Sequence, residues 1–408
     1  MSALKFLLLT QRFPPPSRGG SGRYYENIFR RLPPDEVMIL TELTKDSSDQ
    51  GETNGIRFVR RRSYIKAVGH PNSFARKLIT LRMMALWAIE LIWLCYTHRP
   101  DCIYIGQIDP VGALALLAKR LFGVPYIAFV FGEELTKFKQ SGPPQRLELR
   151  RRVAEKVYRN ASKIVTISHF TVAQLIEFGM SRDQIVLAPP GVDVEQFNPD
   201  MDIADFRAKL APGDANILLT IGRLTERKGH AQVISVLPKV LEAVPNLRYV
   251  IAGRDLDAGE NLRNLAKRLD LEKQVVFLGH INDDDIPKLY CACDVFIMAN
   301  YELEHNRDTE GFGIVFLEAN ACGKPVIGGR AGGVPDAIVH GETGLLVDAT
   351  DLDALSQAII KLLTDKAHAR SLGTKGRKRA LEHFGWEMAA STVREAGLAV
   401  AYATKGTG

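Results

Sequence analysis

A two-domain α/β architecture, each domain built on an open and mostly parallel sheet, is what the sequence predicts, and three observations carry it. The chain has 408 residues, more than one ordinary hydrophobic core organises, so two domains of roughly 200 residues each are expected. Short apolar runs alternate with longer amphipathic ones from end to end, the pattern of repeated strand–helix–strand units. Near the midpoint, Ala188-Pro-Pro-Gly-Val-Asp-Val-Glu-Gln-Phe-Asn-Pro199 interrupts that rhythm with proline and glycine and marks a junction. Domains are therefore expected at 1–195 and 196–387.

In the first half, strands are predicted at Lys5–Thr10, Val37–Thr41, Ile56–Arg60, Asp101–Ile105, Tyr126–Val130, Lys163–Ile167 and Ile185–Ala188. Helices fall between them at Ser21–Leu32, Ser73–Tyr96, Pro110–Phe122, Gln145–Arg159 and Ser168–Phe178. The second half repeats the alternation, with strands at Ile217–Ile221, Arg248–Ala252, Val275–Leu278, Val295–Met298, Pro325–Gly328 and Gly344–Val347. Its helices are predicted at Gly229–Val244, Gly259–Leu269, Asp283–Cys291, Ile314–Cys322, Gly333–His340 and Asp351–Thr364. Two such halves predict two facing Rossmann-like domains, with ligands in an interdomain cleft at the carboxyl ends of the strands.

Composition narrows the classes. A hydrophobic share of 46% with 25% charged residues is that of a soluble globular protein rather than a disordered or fibrous one. The net charge of +6 is uneven: residues 1–199 are clearly basic and the remainder mildly acidic, which suits an anionic surface or partner for the first half. Cys95, Cys102, Cys291, Cys293 and Cys322 make neither a C-x-x-C pair nor half of a zinc site, and read as buried thiols in a reducing cytosol. No signal peptide is expected at Lys5–Thr10, which runs into Arg12 and three prolines. The apolar run Met83–Cys95 is short of the roughly 20 residues of a spanning helix and contains Glu90, so no transmembrane segment is expected.

Three segments have the chemistry of phosphate handling. Pro14-Pro-Pro-Ser-Arg-Gly-Gly-Ser-Gly-Arg23 joins the first strand to a helix; Gly19 and Gly20 let backbone approach a ligand, and the helix start favours negative charge. Gly222-Arg-Leu-Thr-Glu-Arg-Lys-Gly229 places Arg223 and Lys228 in a strand-to-helix loop, where two cations can neutralise a diphosphate leaving group; a pair of solvated loop charges is the alternative. Glu310-Gly-Phe-Gly-Ile-Val-Phe-Leu-Glu318 sets one carboxylate in a Gly-containing loop and a second inside an apolar helix. Amides near Gly313, Ile314 and Val315 can bind oxyanions, and the carboxylates can accept sugar hydroxyls. A helix capped by Glu310 and closed by Gly323 is the structural alternative, but a carboxylate at Glu318 needs a partner, which a ribose diol would supply.

On these residues the chain resembles the family 4 glycosyltransferases of GT-B fold. The resemblance spans essentially the whole chain and keeps the family's motif order: Gly19-Gly20, Pro190-Gly-Val-Asp193, Gly222-Arg with Lys228-Gly229, Gly279-His-Ile281, the Glu310/Glu318 pair, and Gly332-Gly333 with Pro335. The run from Glu310 to Ala319 is most similar to the phosphatidylinositol mannosyltransferase branch. The resemblance implies that Arg223 and Lys228 hold the diphosphate, aided by backbone amides at Gly20, Ile314 and Val315. It implies that Glu318 binds the ribose, Glu310 the donor sugar, and Ile281 the base through its backbone. It also implies retention of anomeric configuration, no metal cofactor, and a departing diphosphate oxygen that takes the acceptor's proton. A C-terminal helix near 388–404 is expected to pack back on the first domain. One residue departs from the family: in Phe129-Val-Phe-Gly-Glu-Glu134, Phe131 stands where the family often has a histidine, so no catalytic histidine is assigned; either the chain does without the imidazole or a nearby group such as Glu133 or His169 compensates, though His169 reads better as a helix start.

The implied activity is transfer of a hexose, mannose or glucose, from a nucleotide diphosphate sugar to a lipid, polysaccharide-precursor or small-molecule acceptor. GDP-mannose is the first donor to test, ahead of UDP-glucose and UDP-N-acetylglucosamine. A sugar-nucleotide 2-epimerase of similar fold, which would act on donor alone, and a silent nucleotide-sugar-binding protein are the alternatives. The basic and aromatic stretch Arg57–Lys66, with Arg76, Lys77, Arg82, Trp87 and Trp93 on the following helix, suits peripheral contact with an anionic membrane; a core helix with a solvated basic end is the bland counterpart. No nucleic-acid motif accompanies the charge. A cytoplasmic location follows, peripheral on the inner membrane face if that contact is made.

Overall fold

The computed structural model describes residues 4–11, 13–14, 19–43, 50–53, 56–62, 73–108, 111–136, 144–211, 213–256, 258–303 and 308–406. Residues 15–18 of the first Gly-rich turn, 63–66 of the basic stretch, and the side chains of Arg76 and Lys77 lie outside that description. Two compact units form: residues 1–167, 171–189 and 386–408 make one, and 168–170 with 190–385 the other. The chain thus leaves the first unit within the Pro189-Pro190 break and returns to it at Trp386.

The first unit runs β1 (Phe6–Leu9), α1 (Gly20–Phe29), β2 (Val37–Leu43), β3 (Gln50–Thr53), β4 (Ile56–Arg62), α2 (Ser73–Thr97), β5 (Cys102–Ile105), α3 (Val111–Phe122), β6 (Tyr126–Val130), α4 (Glu133–Thr136), α5 (Pro144–Asn160), β7 (Lys163–Thr166), α6 (His169–Glu177) and β8 (Ile185–Leu187). Its sheet is ordered β3-β4-β2-β1-β5-β6-β7-β8. All the pairings are parallel except β3 with β4. Strands such as Phe-Leu-Leu-Leu in β1 are buried at every position, as a sheet covered on both faces requires. The edge strand β3, Gln-Gly-Glu-Thr, has no apolar side chain and so gave no strand signal.

Helix α2 corrects the expectation of a run too short to span. With its flanks it extends 25 residues, and over Leu78–Thr97 it is long enough and apolar enough to cross a membrane by length and composition. Its packing nonetheless ties it to its own sheet. Trp87, Leu91, Leu94 and Cys95 are buried with Leu9, Leu40, Val59 and Ile105, each large side chain contributing about 1.5–3 kcal/mol. Glu90 forms an ion pair with Arg61 at 2.7 Å. Leu81, Ile89, Trp93 and Tyr96 point outward, between 56 and 71% exposed.

The second unit runs α7 (Ala204–Leu210), β9 (Asn216–Ile221), α8 (His230–Ala243), β10 (Leu247–Ala252), α9 (Gly259–Arg268), β11 (Val275–Gly279), α10 (Ile286–Ala292), β12 (Val295–Met298), α11 (Ile314–Ala321), β13 (Val326–Gly329), α12 (Val334–Ala337), β14 (Leu345–Val347), α13 (Leu352–Thr364) and α14 (Lys366–His383). Its sheet, ordered β11-β10-β9-β12-β13-β14, is parallel throughout. The chain leaves β9 towards β10 and leaves β12 towards β13, so the direction of winding reverses between β9 and β12. Such a switch point opens a crevice at the carboxyl ends of the two strands. Asp351 and Asp365 cap α13 and α14 through the amides of Ala354 and His368, each at 2.9 Å. Helix α12 ends at Ala337, short of the expected His340, whose ring instead accepts the Leu346 amide at 2.9 Å. The final helix α15 (Trp386–Lys405) belongs to the first unit, where Arg394 pairs with Glu36 at 2.7 Å.

Candidate active site

Two loops meet at the switch point of the second sheet. The first leaves β9 through Gly222 and Arg223, makes a turn of 3-10 helix at Glu226–Lys228, and enters α8 through Gly229. Gly229 has φ of 73°, and a Cβ there would run into the Ala299 carbonyl beyond β12, so the turn is open to glycine alone. The second loop leaves β12 and carries Asp308 and Glu310 to Gly313, the N-cap of α11.

The structure brings Lys228 and Glu310 together. Glu310 Oε2 accepts from Lys228 Nζ and, at 3.0 Å, from Arg227 Nη1. Arg227 also reaches Asp308, with Nε 3.2 Å from Oδ2. These side chains are mostly buried: Lys228 is 11% exposed, Arg227 12% and Glu310 15%. Burial alone would raise the Glu310 pKa, but Lys228 and Arg227 outweigh it and hold the carboxyl down to about 2. Lys228 moves down as well, because burial exceeds the help it receives from Glu310.

The expected pair of similar cations therefore divides. Arg223 is exposed and makes no ion pair with a described residue, while Lys228 is committed to Glu310. The capping alternative for Glu310 fails, since no side chain caps α11. His230 opens α8 with Nε2 3.4 Å from the Arg223 carbonyl; burial lowers its pKa to about 4, leaving the ring neutral at pH 7.

Glu318 lies on the buried side of α11, 6% exposed, and already has a protein partner: the Tyr290 hydroxyl donates to its Oε2 at 2.7 Å. Its burial therefore does not by itself demand a ribose. At the head of the same helix, Ile314 and Val315 are half-buried, and their amides belong to the uncapped first turn. Ile281 follows β11, two strands across from β9 at the same edge. Among the described residues, no group of three or more acid, histidine or cysteine side chains could hold a metal ion.

In the first unit, Gly19 caps α1 and Gly20 opens it; both are exposed, and no side chain caps the helix. At that sheet's own switch point, between β1 and β5, Gln107 Oε1 accepts from Thr10 Oγ1 and the Gln11 amide at 3.1 and 3.0 Å. Phe131 stacks 6.3 Å from Phe129 and meets Tyr24 edge-on at 5.3 Å, so an aromatic core accounts for the place of the missing imidazole. Its amide donates to Glu134 at 3.0 Å, Glu133 heads α4, and His169 heads α6. The basic stretch is partly spent within the fold: Arg60 is buried over Phe58 at 3.9 Å and Arg61 pairs with Glu90. The cysteines are all free and buried.

Arg227, Asp308, Tyr290 and Gln107 escaped sequence reasoning. Arg227 and Asp308 sit beside residues that did draw notice, so proximity to Lys228 and Glu310 was their only signal. Tyr290 comes from a different helix, 28 residues before its partner, and no local pattern announces the pairing.

A doubly wound parallel sheet whose switch point gathers an uncapped helix start, cations and carboxylates suits an α/β protein that handles a phosphorylated sugar or nucleotide. Comparison narrows the class. A glycosyl transferase 4-like domain matches residues 19–191, and glycosyl transferases group 1 matches residues 202–379. A GDP-mannose-dependent alpha-(1-6)-phosphatidylinositol monomannoside mannosyltransferase of Mycolicibacterium smegmatis is 31% identical, covering 95% of this chain and 97% of that protein. A monoacylated-substrate counterpart from Corynebacterium glutamicum is 29% identical over 94% of this chain and 95% of its own. Among solved structures, the sucrose-phosphate synthase of Thermosynechococcus elongatus superposes with TM-score 0.80 at 24% identity, over 98% of this chain and 100% of that one. Anabaena HepE with UDP gives 0.77 at 20% identity, over 97 and 100%. The chain belongs to the group 1, family 4-like glycosyltransferases of GT-B fold, enzymes that transfer a sugar from a nucleotide-sugar donor.

Proposed function

We propose that this glycosyltransferase retains anomeric configuration, needs no metal, and moves mannose from GDP-mannose to a lipid acceptor with a polyol or sugar headgroup. The observation that carries the donor site is the meeting, at one switch point, of exposed Arg223, the Lys228–Glu310 pair and the uncapped head of α11. Arg223, Lys228 and the amides of Ile314 and Val315 stabilise the diphosphate as negative charge builds on it, the work that a metal ion does elsewhere. In the first unit, the amides at Gly19 and Gly20 are suited to a phosphate group. Glu318 receives ribose hydroxyls, Glu310 receives hydroxyls of the donor sugar, and the Ile281 backbone receives the base.

In the reaction the C1–oxygen bond to the β-phosphate breaks and a bond from C1 to the acceptor oxygen forms on the same face. The acceptor's proton passes to the departing phosphate oxygen, so no side chain in the place of Phe131 has to act as base. Mannose and a lipid are favoured because the phosphatidylinositol mannoside enzymes of Mycolicibacterium and Corynebacterium align over nearly the whole chain. The outward apolar face of α2 supports a lipid partner, since Trp93 and its neighbours can enter the headgroup boundary with the helix lying in the surface plane.

The test is transfer of labelled mannose from GDP-mannose to vesicles containing phosphatidylinositol or its mannosides, with product configuration read by NMR. An α-mannoside supports the reading; a β-linked product, or epimerised donor formed without acceptor, rejects it.

A further inference from the structure

Arg227 has a place in the site that no assigned role uses. Its side chain is 12% exposed and reaches two carboxylates at once, Nη1 to Glu310 and Nε to Asp308. Its own carbonyl accepts the Tyr301 amide at 3.1 Å, which ties it to the loop that carries both acids. Lys228 Nζ shares the same Glu310 oxygen that Arg227 holds. Among the described residues, the charged groups around Glu310 are Lys228 and Arg227 from the β9–α8 loop and Asp308 on its own loop, with Arg223 acting on Lys228.

We propose that Arg227 is a positioning residue, keeping the Glu310 carboxylate ionised and aimed at the donor sugar when Lys228 is drawn to a bound diphosphate. The inference rests on the donor-site reading above and deepens it. Lysine is a point charge on a flexible stem, so it can exchange one anion for another within its reach. The guanidinium is a planar fork whose two edges are already fixed by Asp308 and Glu310, so it stays. Without it, a Lys228 turned towards phosphate would leave the largely buried Glu310 without either cation that holds it ionised. Burial then favours the protonated acid, and a protonated Glu310 loses acceptor capacity for the sugar hydroxyls.

Calorimetric binding of GDP and GDP-mannose at pH 7 and pH 5 tests this on wild type, Arg227→Gln, Arg227→Lys and Glu310→Gln. For wild type we expect GDP-mannose affinity to change less than about threefold between the two pH values. Arg227→Gln should bind GDP within about threefold of wild type, showing an intact fold, yet lose at least about tenfold in GDP-mannose affinity on going to pH 5. Such a loss is the size expected when a charged acceptor is removed. Arg227→Lys, which keeps the charge without the fork, should lose GDP-mannose affinity at pH 5 to an extent between wild type and Arg227→Gln, and Glu310→Gln should bind GDP-mannose weakly at both pH values. The proposal is overturned if Arg227→Gln keeps the wild-type profile, or if GDP and GDP-mannose affinity fall together, which would make Arg227 a general support of the loop. It is equally overturned if Arg227→Lys keeps the wild-type profile, since a second point charge would then serve as well as the fork. Failure of the underlying site looks different: Glu310→Gln would match wild type for both ligands, whatever Arg227 does.

Discussion

Glu310 and Glu318 share a motif but live in opposite surroundings. Glu310 sits between two cations on a loop, and Glu318 sits in an apolar helix with a tyrosine hydroxyl as its partner. For Glu310 the ionised form is stabilised on folding, its pKa going from an ordinary 4.5 to about 2. Its contribution is therefore fully present above pH 4.5 and lost as pH falls through about 2, worth at most about 3 kcal/mol. Chemical denaturation of wild type and Glu310→Gln should thus differ most at neutral pH and converge towards pH 2. A difference that stays constant over that range would mean the ion pair is not what holds the loop. At Glu318 and Arg223 the expected effect is on turnover. Alanine at either should lower it at least about tenfold (~1.4 kcal/mol), with a melting temperature near wild type for Arg223→Ala because that side chain is exposed. The motif residues themselves were legible because glycine, carboxylate and cation spacing is local. Their partners were not: Tyr290 for Glu318 and Arg227 for Glu310 are chosen by the fold.

At the level of elements, α11 owes its placement to α14, one of the helices that local sequence pattern does not announce. Lys-Ala-His-Ala-Arg-Ser-Leu-Gly-Thr-Lys-Gly is too polar, and too interrupted by glycine, to show an apolar stripe. Those glycines are nonetheless why it fits. A Cβ at Gly373 would meet the Gly323 carbonyl, and one at Gly376 would meet the Asn320 side chain. Asn320 in turn donates to the carbonyls of Lys324 and Thr343 at 3.0 and 3.2 Å, and Arg377 donates to the Ala321 carbonyl. Gly376→Leu should consequently weaken GDP binding several-fold by displacing α11, in addition to lowering the melting temperature by roughly the 1–3 kcal/mol of an overpacked contact. Unaltered GDP affinity in a folded variant would separate α14 from the site. Helix α2 makes its own prediction. Leu81→Glu with Trp93→Glu on its exposed face should abolish co-sedimentation with anionic vesicles and leave thermal stability within about 0.5 kcal/mol. Persistent sedimentation would place membrane contact elsewhere.

Across the whole molecule, the strand–helix alternation was readable because parallel strands buried on both faces are continuous apolar runs. The polar edge strand β3, the short α7 and the glycine-bearing α14 were not, since none carries enough apolar side chains to set a period. The switch point that gathers the site follows from strand order, which pairing across the sheet decides. Family membership fixes a sugar-nucleotide transferase, and the proposed use of cations and amides in place of a metal has a global consequence. Mannose transfer should survive excess EDTA within about twofold, whereas a Mg²⁺- or Mn²⁺-dependent enzyme would stop. The most direct measurement is a crystal structure with GDP bound. The diphosphate should lie within hydrogen-bond distance of Arg223 and the amides of Ile314 and Val315, with the ribose on Glu318. A nucleotide seated away from the β9–β12 switch point would contradict the account.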